Sequence, residues 1–146
     1  MNTPHIDFYI IRETSQQGRF SFCCALIEKI YLHQRKIYVY CDEPYQASEL
    51  DNILWTYKDI SFIPHCLSGS QPLADSPVQI GHTPPPEIFN DILINLSLAS
   101  AEIPGFYRQF ERIIEIVHQD DKTKELLRLR YQNYRAQQCA IKTHQH

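Results

Sequence analysis

At 146 residues, 43% of them hydrophobic and 21% charged, the sequence has the length and composition of a folded unit that can bury one core without disulfide or metal staples. A formal net charge of −3 argues against wholesale nucleic-acid binding through a basic surface, and no apolar run approaches the roughly 20 residues a membrane span needs. The opening MNTPHIDFYII lacks a basic n-region and a small-residue cleavage site, so a soluble, cytoplasmic chain with a single domain over residues 1–146 is expected.

Taken in order, His5 to Arg12 (HIDFYIIR) reads as a buried strand, followed by a polar turn from Glu13 to Gly18. Phe20 to Gln34 carries apolar residues at Phe22, Ala25, Leu26, Ile30 and Leu32, the pattern of a helix packed on one side, with Ser21 as its cap. Lys36 to Cys41 (KIYVYC) is β-branched and aromatic enough for an interior parallel strand, and Asp42 to Tyr45 turns into a helix that holds Pro44 in its first turn and runs to about Trp55. Ser61 to His65 is a short strand or edge segment stopped by Pro64, and Leu67 to Pro77 is a Ser- and Pro-rich loop. Val78 to His82 and Asp91 to Leu96 (DILINL) are further strands, with a stiff proline linker, Thr83 to Pro86, between them. A short helix is expected within Ala101 to Phe110. Arg112 to Val117 (RIIEIV) reads as the last strand, a continued helix being the competing reading. The βαβα order selects an α/β fold with a mainly parallel sheet flanked by helices.

The one charge anomaly is the helix expected within Val117 to Arg135. From Lys122 to Arg135 five Lys/Arg stand against Glu125 alone, a net +4, so the remainder of a −3 chain holds −7. At about 100° per residue Lys124, Arg128, Tyr131 and Arg135 form one stripe, while Leu127 and Tyr134 lie on the adjoining arc. Asp120 and Asp121 suit its start, the cations its end. The stripe is either a solvated face or a site for an anionic ligand.

The chemistry that is missing narrows the choices. Four glycines, Gly18, Gly69, Gly81 and Gly105, allow no G-x-G-x-x-G and no Walker loop, so no phosphate-binding loop and no cofactor are expected. Seven histidines show no metal-ligand spacing, and the terminal His144 and His146 fall on an end expected to fray. The cysteines, Cys23, Cys24, Cys41, Cys66 and Cys139, contain no C-x-x-C and read as reduced structural thiols. A nucleophile built on Cys41 or Cys66 stays open on pattern alone.

With these elements in place the chain resembles the chi subunit of the bacterial DNA polymerase III holoenzyme, part of the clamp-loader assembly. The resemblance rests on the FYII strand, on ILWTYKDISFIPHCL, on DILINL, and above all on V-x6-K-x3-R-x-R-Y-x2-Y-R from Val117 to Arg135. It implies a Rossmann-like fold and a non-catalytic adaptor in DNA replication with two partners, a psi subunit and the acidic, Phe-terminated tail of single-stranded DNA-binding protein, DNA itself being contacted only indirectly. The tail site would fall on Val117, Lys124, Arg128 and Tyr131, and the psi side on Trp55 and Phe62. For Trp55 and Phe62 the pattern alone favours core burial, and the resemblance reverses this toward exposure. The alternatives from other classes are a small α/β enzyme and a direct single-stranded nucleic-acid binder using the basic helix.

Overall fold

Three apolar runs, β2 (Ile37–Tyr40), β4 (Val78–Gly81) and β5 (Ile92–Asn95), lie side by side and are buried almost throughout, as strands covered on both faces must be. The computed structural model describes residues 3–33, 35–56, 65–67 and 77–146, and of Cys66 the backbone alone. Among these residues the sheet is completed by β1 (His5–Ile10), β3 (His65–Leu67), β6 (Arg112–Val117) and β7 (Ala140–Gln145), in the order β3-β4-β2-β5-β6-β1-β7 with every pairing parallel. Helices α1 (Gln16–Tyr31), α2 (Pro44–Thr56) and α3 (Asp121–Ala136) cover it. The fold is α/β and Rossmann-like, as expected.

Two apolar layers follow from the period of two along each strand. Tyr9, Ile11, Val39, Ile94 and Ile116 face α1 and α2, whereas Ile6, Phe8, Tyr38, Leu93 and Ile113 face α3 with its Leu127 and Tyr134. Arg112 to Val117 is a strand, not a continued helix: it pairs with β1 on one side and β5 on the other, and its β-branched residues are all buried. None of the three helices is long and apolar enough to cross a membrane.

Four local expectations are corrected. The segment Glu13 to Gly18 is not a turn throughout, because Ser15 rather than Ser21 caps α1: its side chain accepts from Gly18 N at 3.0 Å, and the helix starts at Gln16. Gly18 is needed there, since a Cβ would sit 2.7 Å from the Cβ of Glu13. The expected helix within 101–110 shrinks to a 3-10 turn, Tyr107–Gln109, because Pro104 and Gly105 deny the segment helical donors and propensity. The C-terminal end does not fray. Residues 140–145 form β7 against β1, and His144 stacks on Tyr9 with ring centroids 4.5 Å apart. Phe62, the strand expected from Ser61 to His65 except for His65, and the loop expected from Leu67 to Pro77 except for its two ends lie outside the described residues, and Leu67 ends β3 rather than opening a loop.

The turn that makes β7 possible is a Schellman motif. Cys139 N donates to Tyr134 O at 3.2 Å and Gln138 N to Arg135 O at 2.9 Å, with Gln138 in the left-handed region at φ 62°. The chain thus leaves α3 at its end and runs back along β1.

Candidate functional site

Helix α3 begins where Asp120 accepts from Thr123 N at 3.0 Å and from the Thr123 hydroxyl at 2.9 Å. These bonds hold the Asp120 carboxyl below its ordinary value and keep the cap charged. The helix then divides its residues by phase. Leu127 and Tyr134 are buried against the sheet, Lys124 and Tyr131 are half-buried, and Arg128 and Arg135 are exposed.

Arg130, counted in the basic run, does not belong to the binding face. It is buried, and its Nη1 donates to Glu115 at 3.0 Å and to Ser97 O at 2.9 Å, while its Nη2 donates to Ser100 O. Glu115 also accepts from Asn95 at 2.9 Å and from the Tyr134 hydroxyl at 2.6 Å. Burial, with the neighbouring Glu115, pushes the Tyr134 phenol well up, so it serves as a donor. The helical phase would have shown this: at about 100° per residue Arg130 lies roughly 40° past Tyr134 on the packing arc.

The four residues expected at the tail site come together. Val117, Lys124, Arg128 and Tyr131 line one groove of about 540 Å³ between α3 and the β1/β7 edge of the sheet. Its apolar floor includes Phe8, whose ring lies 5.4 Å from that of Tyr131, and its far bank includes Thr143 and Gln145 of β7. Sequence reasoning missed these last three. Phe8 was absorbed into a buried strand, and β7 was read as a fraying end. Among the described residues Lys124 and Arg128 have no ion-pair partner, so the groove presents two uncommitted cations beside an aromatic floor. Such a site suits a ligand with one anionic and one apolar group.

Trp55 lies elsewhere, at the last turn of α2, 49% exposed and with its ring 4.2 Å from that of His65. It is not a core residue, contrary to the bare pattern. Its expected companion Phe62 falls outside the described residues.

At the carboxyl ends of β5 and β6, the end at which doubly wound folds bind their ligands, buried side chains bond the chain's own backbone. Arg19, fully buried, donates from Nε to Ile116 O at 2.9 Å and from Nη1 to Leu96 O at 3.0 Å, and Asp42 binds Leu98 N at 2.8 Å. Burial lowers the Arg19 guanidinium to about 10, still charged at neutral pH. Beside it burial pushes the Cys41 thiol up to about 12, the opposite of what a nucleophile requires. The side chain of Cys66 is outside the described residues.

Comparison with known proteins agrees with the resemblance seen in the motifs. The family described as DNA polymerase III chi subunit, HolC, matches residues 3–142. Curated relatives include the DNA polymerase III subunit chi of Pseudomonas aeruginosa, 34% identical over 95% of this chain and 94% of its own length, and that of Haemophilus influenzae, 33% identical over 93% of each. The Escherichia coli subunit chi is 31% identical over 77% of this chain and 75% of its own length. With the family's pattern running from the first strand into the last, the chain belongs to the DNA polymerase III chi subunit family and is a replication accessory protein.

Proposed function

We propose that the chain is a non-catalytic adaptor of DNA polymerase III, residues 1–146 acting as one unit that links the clamp loader to single-stranded DNA-binding protein. The acidic, Phe-terminated tail of that protein occupies the groove of Val117, Lys124, Arg128 and Tyr131. A psi-like subunit of the clamp loader docks on the Trp55 side, with Phe62 as its second anchor. DNA is reached through the tail rather than directly, in keeping with a chain of net charge −3. Any polymerase activity belongs to the holoenzyme.

The observation that supports this reading is the groove itself, which places an uncommitted guanidinium beside an apolar floor. A terminal Phe brings both an α-carboxylate and a ring within one residue. Arg128 takes the carboxylate through paired N–H groups, and Tyr131, Val117 and Phe8 surround the ring. Lys124 faces the upstream acidic residues as a point charge.

Titration of a labelled tail peptide and of a bare oligonucleotide tests it. A charge-assisted bond to a carboxylate contributes about 1.5–3 kcal/mol, so Arg128→Ala should weaken the peptide roughly ten- to a hundredfold. Lys124→Ala should act less, and its effect should fade as salt rises. Wild-type affinity in Arg128→Ala, or a wild-type preference for the oligonucleotide, would sink the proposal.

A further inference from the structure

The groove beside Arg128 has a second bank, β7, and among the described residues β7 is the last strand of the sheet, paired on one side only. In a strand the N–H and C=O of a residue point the same way, and successive residues alternate. His146 N donates to Ile10 O at 2.9 Å. By that parity Lys142 and His144 also turn their main-chain groups to β1, whereas Ile141, Thr143 and Gln145 turn theirs off the open edge.

Side chains alternate with the same period, and the two alternations coincide here. His144 stacks on Tyr9 on the α1 side, while Ile141 packs into the α3 layer and Thr143 and Gln145 line the groove. Thr143 and Gln145 therefore offer their side chains to the groove and their main-chain groups to any chain lying outside β7. Neither is charged and neither is proline, and of the usual devices that stop a further strand from adding β7 carries Lys142, whose side chain alternates away from those of Thr143 and Gln145. An extended chain added there would place alternate side chains on the α3 side, next to Arg128 and Tyr131.

We propose that the acidic, Phe-ended peptide binds by strand addition to β7, its main chain bonding Thr143 and Gln145 while its terminal ring and carboxylate turn into the groove. This rests on the peptide-site reading above and adds the path of the main chain. Charge selects the occupant. Lys124 and Arg128 border the path and have no ion-pair partner among the described residues, which favours an acidic segment.

The test uses Thr143→Pro in the full chain. Proline there removes an N–H that points off the sheet and plays no part in the β1 ladder, so the fold should hold. Thr143→Ala controls for the side chain. With a labelled synthetic peptide rich in Asp and ending in Phe, Thr143→Pro should weaken binding about tenfold and Thr143→Ala much less. Wild-type affinity in Thr143→Pro overturns the added strand, and loss of binding by Arg128→Ala in the same titration then keeps the groove reading intact. Should Thr143→Pro fail to fold, peptides N-methylated one amide at a time are titrated against the wild-type chain. Losses at alternate amides support the strand, and a uniform response at every amide overturns it.

Discussion

Arg130 donates to Glu115 at 3.0 Å with at most 1% of either side chain in contact with water. The pair joins α3 to β6, and it also bonds Asn95, Tyr134 and two loop carbonyls, which leaves the buried Arg130 Nε without a partner among the described residues. Removing one partner leaves the other charge buried and alone. Arg130→Ala and Glu115→Ala should each lower unfolding free energy by about 3–5 kcal/mol, measured by urea denaturation, and an apolar pair such as Arg130→Met with Glu115→Leu should recover most of it. A loss under about 1 kcal/mol for either single variant would contradict this account.

Gln138 occupies the left-handed position of the α3 Schellman turn, a conformation that suits glycine and strains a side chain. Gln138→Gly should therefore stabilise the chain by about 1 kcal/mol, the reverse of what glycine does inside a helix. Thermal unfolding would show it as an upward shift of several degrees. A downward shift would mean that the strain is absorbed elsewhere.

Asp7 binds Arg112 Nε at 2.6 Å and His144 Nε2 at 2.8 Å. Burial pushes its carboxyl up, but the bonds from His144 and Arg112 outweigh burial and hold it below the ordinary 3.8. A depressed carboxylate contributes stability that is present above the unfolded value and lost as the pH falls through the folded one. Asp7→Asn should thus be less stable than wild type at neutral pH, with the gap narrowing only below about pH 4. Unfolding midpoints measured from pH 7 to pH 3 would reveal it. A gap that stays unchanged down to pH 3 would contradict this account.

Trp55 is half-open at the end of α2, and the proposed function gives its indole to a partner. Trp55→Ala should leave the unfolding midpoint within a few degrees of wild type. It should weaken a complex with a psi-like subunit by roughly 2 kcal/mol or more, as truncation of an aromatic anchor does. A loss of several kcal/mol in the chain's own stability would place the ring in the core.

What could be read from the sequence divides by physical cause. KIYVYC, DILINL and RIIEIV were legible because a strand covered on both faces has no polar period to disguise it. The stripe of Lys124, Arg128 and Tyr131 was legible because helical phase is fixed by 3.6 residues per turn, and the four expected tail-site residues do share one groove. Strand β7 was not. As an edge strand in AIKTHQ it buries little, so its pairing is carried by backbone groups and by the contacts of His144, which leave no hydrophobic trace. The Ser15 cap lost to the nearer Ser21 on pattern, since only the approach of Gly18 to Glu13 decides between them. Arg130 was passed over on its charge, although its helical phase sets it beside Leu127 and Tyr134 on the buried side of α3.

Pairing β1 with β6 and β7 also sets the order of events during synthesis. Asp7 and His144 bond across 137 positions, and the other neighbour of β1 begins only at Arg112. On a ribosome adding about 5–20 residues per second, an apolar strand with two open edges must therefore wait several seconds for either neighbour. Loop closure over such spans is slow, and unpaired strand edges invite association with other chains. The segment HIDFYI is in this sense the nascent chain's most exposed liability, and a chain that stopped short of β6 would keep it.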